Sequence, residues 1–234
     1  IPMILLVGYR GDPRLKDEPQ HYRIGPNTTK ILKSIDINSI ILNQKNFKSE
    51  IYNAKKRTLK SRQPQALIIS KDLISKFKNT KLITKNNKNF SNRIKYLELL
   101  VRLGKKKDFY VCTTGNTSRE MYVLNDKYKK GHTNSFYCIG AMGHANQIGL
   151  EIALSSKKNV VIFDGDGAVQ MHMGNLILIG KFKKRILHII FSNKLHESTG
   201  NHALASDNVD YASILKGCKY DQIKVINNFN GFKK

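Results

Sequence analysis

Between Asn159 and Asn201 the chain reads NVVIFDGDGAVQMHMGNLILIGKFKKRILHIIFSNKLHESTGN, and few architectures accommodate that order of residues. Val160 to Phe163 is a short, wholly apolar run, which predicts a buried strand. Asp164, Gly165, Asp166 and Gly167 then predict an acidic turn bracketed by glycines. Helical spacing follows from about Val169 to Gly180, and a second buried strand is expected from Ile186 to Phe191, ending on Ser192 and Asn193. Two apolar runs flanking a helix make a parallel βαβ unit, so the fold class is α/β with parallel sheets flanked by helices. In such sheets ligands sit beyond the carboxyl ends of the strands, where both polar turns fall.

The two turns are chemically complementary. Asp166 offers a hard carboxylate oxygen and Asn193 a neutral amide oxygen, a pairing suited to Mg²⁺. Gly165 and Gly167 let the main chain approach a phosphate, and the helix that follows aims its first N–H groups at an anion. Asn193 lies 27 residues after Asp166, the length one strand-helix-strand crossover needs to set the turns side by side.

A chain of 234 residues with 40% hydrophobic content has material for one large core or two modest ones. No apolar run approaches the roughly 18 residues of a membrane span, and the first residues lack the pattern of a signal peptide, so a soluble cytoplasmic protein is expected. Cys112, Cys138 and Cys218 have no metal-ligand spacing and read as reduced core residues. The net charge of +24 admits an anionic partner. The lysines are scattered among Asn and Ile, however, and no zinc-finger, RNA-recognition or helix-turn-helix pattern is present, which disfavours nucleic acid. A positive field also draws in a diphosphate or a small anionic substrate.

Elsewhere, Met3 to Val7 predicts a strand, followed by a turn at Gly8 to Pro13 and polar residues to His21. Thr28 to Ser34 reads as a short helix with Asn27 at its N-cap, Ile37 to Leu42 as a strand, Phe47 to Ser61 as a helix with a basic face, and Ala66 to Ser70 as a strand. Residues 71–92 have no period and are rich in Lys and Asn, as a linker would be. Arg93 to Leu103 predicts an amphipathic helix stopped by Gly104, and Asp108 to Thr113 a strand that opens into the polar loop Thr114 to Ser118. That loop either receives an anion or is a strand-to-helix turn capped by Ser118. A small-residue helix should follow Ile139 to His144, with a helix at Asp210 to Gly217 and a last strand at Gln222 to Ile226. His172 reads as packing and His188 as buried in its strand.

The residues also carry a resemblance. Gly165-Asp166-Gly167 with Asn193 resembles the metal and diphosphate motif of thiamine-diphosphate enzymes. Thr113 to Glu120 (TTGNTSRE), Ile139 to Leu150 (IGAMGHANQIGL) and Asn193 to Gly200 (NKLHESTG) look like segments of the phosphonopyruvate decarboxylases, with sulfopyruvate decarboxylases as close relatives. The resemblance implies a thiamine-diphosphate-binding fold of two domains: residues 1–70 as the later part of a pyrimidine-binding domain, 71–92 as linker, and 93–234 as a diphosphate-binding domain lacking its last helix. It implies that Asp166, the Asn193 side chain and the Leu195 carbonyl hold Mg²⁺, and that Thr114, Gly115, Ser118, Gly140, Met142, Gly165, Gly167 and Asn193 also line the cofactor. Met142 would wedge beneath the folded cofactor; without the resemblance it reads as core. His196 and Glu197 would touch substrate or relay a proton, and GxRGxP and DEPQH segments would bring His21 near the active site, where the bare sequence allows equally a solvated loop histidine.

The implied reaction is nonoxidative decarboxylation of 3-phosphonopyruvate to phosphonoacetaldehyde and CO2, a step of phosphonate biosynthesis leading toward compounds such as 2-aminoethylphosphonate, in a homo-oligomer with sites between subunits. Sulfopyruvate or another 2-oxo acid is the alternative substrate. In the family the carboxylate that activates the cofactor's aminopyrimidine lies upstream of Ile1, so the chain also reads as a noncatalytic fragment or partner subunit. Ser192, Lys194 and Leu195 replace the family's first Asn, its glycine and its small residue; Lys194 is expected to be strained if the turn needs positive φ. After Thr199 the family's glycine-glutamine-proline pattern is replaced by Asn201-His202-Ala203, which bears on substrate choice.

Overall fold

Short apolar runs separated by helices of about three turns leave the chain little choice but parallel sheets, and a computed structural model shows two of them. It describes residues 1–71, 73–75, 92–182, 184–199, 202–204 and 208–233. Most of the segment read as a linker lies outside the described residues. The chain divides into two compact units, Ile1–Thr84 and Lys85–Lys234.

The first unit holds β1 (Ile4–Gly8), α1 (Thr28–Ser34), β2 (Asn38–Leu42), α2 (Phe47–Ser61) and β3 (Gln65–Ile69). Its three strands are parallel in the order β1-β3-β2, so β3, the most buried, lies in the middle. Leu42, Ala54 and Leu67 form its core; burying a Leu side chain contributes about 1.5–3 kcal/mol. The loop after β1 closes on itself. Asp12 is buried and accepts hydrogen bonds from the Arg14 guanidinium at 2.7 and 2.9 Å and from Ser70 Oγ at 2.9 Å. The Arg14 hydrogen bond is the main reason its carboxyl lies well below the usual carboxylate range.

Two glycines let this loop fold back. A Cβ on Gly11, whose φ is +69°, would stand 2.2 Å from the His21 carbonyl oxygen, and one on Gly25 would stand 1.8 Å from the Gly11 carbonyl oxygen. Main chain is in the way in both cases, so no rotamer change relieves the overlap. Gly25→Ala is therefore expected to cost about 3 kcal/mol, the upper end of overpacking penalties. A urea titration reads this as an earlier unfolding midpoint; an unchanged midpoint contradicts the apposition.

The second unit contains α3 (Arg93–Leu103), β4 (Asp108–Cys112), α4 (Asn116–Lys127), β5 (Ser135–Tyr137), α5 (Ala145–Ser155), β6 (Asn159–Gly165), α6 (Asp166–Met171), α7 (Leu176–Phe182), β7 (Ile186–Phe191), the short pair β8 (Leu195–His196) and β9 (His202–Ala203), α8 (Tyr211–Gly217) and α9 (Phe229–Lys233). Four parallel strands stand in the order β5-β4-β6-β7. Alternation along β6 splits the core in two: Val161 and Phe163 pack with Leu97, Val101, Met121 and Leu124 of α3 and α4, whereas Val160 and Ile162 pack with Leu150, Ala153 and Ile179 of α5 and α7. The chain leaves β4 for β5 on one side and returns to β6 on the other. The carboxyl ends of β4 and β6 therefore form the switch point at which such sheets bind ligands.

Three expectations are corrected. The acidic turn does not exist as a loop: β6 runs through Asp164 and Gly165, and α6 begins at Asp166. Asp164 is buried as a strand residue, which draws the strand two positions further. The single helix over 169–180 is broken into α6, a 3-10 turn at Met173–Asn175, and α7. Gly143 (φ +89°) approaches so closely that its Cβ would lie 2.6 Å from His172 Cδ2, and Gln147 Nε2 donates to the Asn175 carbonyl at 3.1 Å, which ties α5 to the start of α7. Residues 222–226 have no ladder partner and do not form a strand. Beyond them α9 sets Phe229 and Phe232 edge-on against Tyr96. No helix among the described residues is long and apolar enough to cross a membrane.

Candidate functional site

Everything at the edge of the second sheet turns on Asp166. Its side chain is only 3% exposed, yet it is an acidic group at the first position of a helix. Oδ1 accepts from the Gly167 N–H at 2.9 Å, and Oδ2 accepts from the Lys194 N–H at 2.7 Å and from Ser192 Oγ at 3.2 Å. These last two donors flank Asn193, so the two turns singled out in the sequence meet. Tyr211 Oη donates to the Asp166 carbonyl at 3.3 Å and receives Gln170 Nε2 at 2.9 Å, which ties α8 to the same corner.

Lys194 reaches Asp166 because its φ is +61°, the left-handed conformation expected of a glycine position. For a residue with a Cβ this costs roughly 1–2 kcal/mol, against about 0.5–1 kcal/mol of extra chain entropy that a glycine loses on folding. Lys194→Gly is expected to raise stability by up to about 1 kcal/mol, seen as a thermal midpoint a few degrees higher. A lower midpoint would show that the lysine side chain contributes more than its backbone strain removes.

Asn193 is held from both ends. Its Nδ2 donates to Glu197 Oε1 at 2.9 Å, and its Oδ1 accepts from the Leu195 N–H at 3.0 Å. A carboxylate only accepts, so the amide nitrogen must face Glu197, and the oxygen is presented on the other side. Glu197 Oε2 also accepts from Arg93 Nη2 at 2.9 Å and from Asn116 Nδ2 at 3.2 Å. Burial pushes the Glu197 carboxyl up, but the Arg93 charge and the three donors outweigh it, and the net shift is below the ordinary value. Glu197 is thereby an anchor held by three donors.

His196, in β8, lies over the second glycine of the motif. A Cβ on Gly167 would stand 2.7 Å from its Cε1 and 2.9 Å from its Nδ1. Gly165 ends β6 with open space where a Cβ would be. Leu195 pairs with Ala203 in the β8-β9 ladder. At the end of β4, Gly115 adopts φ +106° ahead of α4 and approaches Ser198, while Thr114 Oγ1 is buried with no hydrogen-bond partner in the described structure. Ser118 is corrected: it is inside α4, and its hydroxyl points back to the Thr113 carbonyl at 2.7 Å and the Cys112 carbonyl at 3.1 Å. Its single proton is committed there, so it neither caps the helix nor is free to donate to an anion. Gly140 (φ +72°) and Gly143 bracket half-buried Met142, as the turn requires. His21 closes a 3-10 turn in the first unit.

A pocket of about 240 Å³ opens beside Asp166, lined also by Ser192, Lys194, Leu204, Asn208 and Tyr211. A larger one of about 430 Å³ is at the opposite edge of the sheet, among Asp108, Asn159 and Arg185, away from these groups. The fit to a Mg²⁺-diphosphate group is favourable. One buried carboxylate, one oriented amide oxygen and main-chain carbonyls form a hard-oxygen set, and Thr114 supplies an unsatisfied hydroxyl. No group of three His, Cys, Asp or Glu residues suited to a metal occurs among the described residues.

Sequence reasoning missed Arg93 and Tyr211, whose roles come from tertiary approach and leave no spacing signal, and it gave Asn116 and Ser192 no role although both lie in turns it singled out. It also missed what His188 does: Nδ1 meets Tyr220 Oη at 3.0 Å, and Nε2 lies 3.4 Å from Asp164 Oδ2. Cys112 and Cys138 are buried, and burial raises the Cys138 thiol to about 11, so both are inert at neutral pH.

Comparison with known proteins bears on the same residues. The family model described as thiamine pyrophosphate enzyme, C-terminal TPP binding domain, matches residues 113–231. The chain is 30% identical over 236 aligned residues to the phosphonopyruvate decarboxylases of Streptomyces viridochromogenes and Streptomyces hygroscopicus, covering 94% of this chain and 58% of each relative. It thus spans less than two thirds of their length. It is 39% identical over 121 residues to the sulfopyruvate decarboxylase subunit beta of Methanococcus maripaludis, covering 51% of this chain and 63% of that one.

Proposed function

The chain belongs to the thiamine pyrophosphate enzymes, and on that premise we propose that it takes up thiamine diphosphate with Mg²⁺ and serves the nonoxidative decarboxylation of 3-phosphonopyruvate to phosphonoacetaldehyde and CO2. The observation that carries the reading is the 2.7 Å hydrogen bond from the Lys194 N–H to Asp166, which sets the acidic residue against the Asn193 turn. Asp166, Asn193 Oδ1 and the Leu195 carbonyl would hold the metal ion; Thr114, Gly115, Gly165 and Gly167 would face the diphosphate; Gly140 and Met142 would support the rest of the cofactor. The bound cofactor supplies the electron sink that loss of CO2 requires. The protein's part is orientation and proton handling. His196, beside Gly167, and His21 would hold or move a proton. Glu197 keeps the Asn193 oxygen turned outward.

Sulfopyruvate is the second reading, favoured by the 39% identity over 121 residues to the sulfopyruvate decarboxylase subunit beta relative. That relative's designation as a subunit also supports an oligomer with sites completed between chains. Release of CO2 from the two acids, measured side by side with cofactor and Mg²⁺, decides between them. Faster turnover of 3-phosphonopyruvate supports the first reading, faster turnover of sulfopyruvate the second, and turnover of neither in protein that binds the cofactor overturns both.

A further inference from the structure

Arg93 lies 20 residues before the matched family segment and 100 residues before the Asn193 turn, but the fold brings it to that turn. It begins α3, its side chain is 16% exposed, and it makes three charge-assisted hydrogen bonds. Nε and Nη2 grip Glu120 of α4 at 2.8 Å each, and Nη2 reaches Glu197 Oε2 at 2.9 Å. Glu197 in turn fixes the amide of Asn193. We propose that Arg93 is a positioning residue for the metal turn: through Glu197 it determines that Asn193 presents oxygen, and not nitrogen, toward a divalent cation. The inference rests on the functional reading above.

The physical case is one of uncompensated charge. Without Arg93, Glu197 retains only the donors Asn116 and Asn193 for a half-buried carboxylate, and Glu120 loses its bidentate partner. A carboxylate short of donors turns toward water to recover them. Glu197 would then leave Asn193 Nδ2, and the amide would lose the contact that orients its oxygen. Supporting groups of this kind typically carry 10–100-fold in metal affinity. A purely structural ion pair between α3 and α4 predicts no such effect. The same two helices provide the control: Lys127 Nζ bonds Glu98 Oε1 at 2.8 Å, an exposed pair of the same kind that makes no contact with the turn.

The test is the affinity for Mn²⁺ in the presence of saturating thiamine diphosphate, read by the loss of the free-ion electron paramagnetic resonance signal. Arg93→Met is expected to bind about 10–100-fold more weakly than wild type, Lys127→Met the same as wild type, and Arg93→Lys in between. Glu197→Gln removes the charge at constant size and puts an amide nitrogen against the Asn193 nitrogen, so it is expected to match Arg93→Met; it decides the matter if Arg93→Met does not fold. Wild-type binding with both Arg93→Met and Glu197→Gln within about twofold of it overturns this assignment alone. A wild-type protein that takes no Mn²⁺ overturns the assignment together with the functional reading.

Discussion

Asp166→Ala is expected to abolish the thermal stabilisation that thiamine diphosphate and Mg²⁺ confer, and to lower the midpoint of the unliganded protein as well. Its carboxylate receives the Lys194 N–H, Ser192 Oγ and the Gly167 N–H. Removing it strands a left-handed residue whose N–H has no other acceptor among the described residues. Hydrogen bonds to a charged group are worth about 1.5–3 kcal/mol each, but the exposed Ser192 hydroxyl can turn to water, so the net loss is about 2–3 kcal/mol. In a chain of this size that is a fall of roughly 5–10 °C. Ligand stabilisation follows mass action, about 2.7 kcal/mol at a hundredfold excess over Kd. The variant should show none of it. Differential scanning fluorimetry with and without cofactor and metal reads both effects, and a variant that still responds to the cofactor pair excludes Asp166 as a metal ligand.

Phe163→Ala should do the reverse: a large loss of stability with the cofactor response intact. Phe163 is fully buried at the centre of the second unit, stacked on Tyr110 at 5.9 Å and Phe191 at 6.3 Å between ring centroids. Truncating a buried Phe costs about 3–5 kcal/mol, through lost transfer energy and the cavity left behind. The expected fall in midpoint is on the order of 10 °C or more. Its side chain faces α3 and α4, and Asp164 and the turns beyond it keep their hydrogen bonds. The folded variant should therefore gain as many degrees from cofactor and Mg²⁺ as wild type. Loss of that gain at a temperature where the variant is folded would mean that core and site are one cooperative element, contrary to the geometry.

The parallel sheet was legible because parallel strands are buried on both faces: Val160–Phe163 is apolar without interruption, and Ile186–Phe191 is interrupted only by His188. The convergence of the Asp166 and Asn193 turns was legible because one crossover has a narrow range of lengths. The break at His172 was not, since it depends on Gly143 pressing in from another segment, and helical spacing in 169–180 is continuous across it. The extension of β6 through Asp164 was hidden by composition: a carboxylate next to a glycine reads as a turn until a buried histidine is found facing it across the sheet. Lys194 shows the opposite case. Strain was expected there only if the turn needs a positive φ, and the backbone does adopt that conformation, with the N–H reaching Asp166. Glu197 and Ser118 carry hydrogen bonds that the sequence does not show. Motif position brings a side chain near a site, but its partners decide whether its proton or charge is still available there.

Crystals grown with thiamine diphosphate and Mn²⁺ test the central claim directly through the anomalous signal of the metal. One peak within about 2.5 Å of both an Asp166 carboxylate oxygen and Asn193 Oδ1, the range of divalent metal–oxygen bonds, is the predicted result. A peak that touches only one of the two, or lies elsewhere while cofactor is bound, would contradict it.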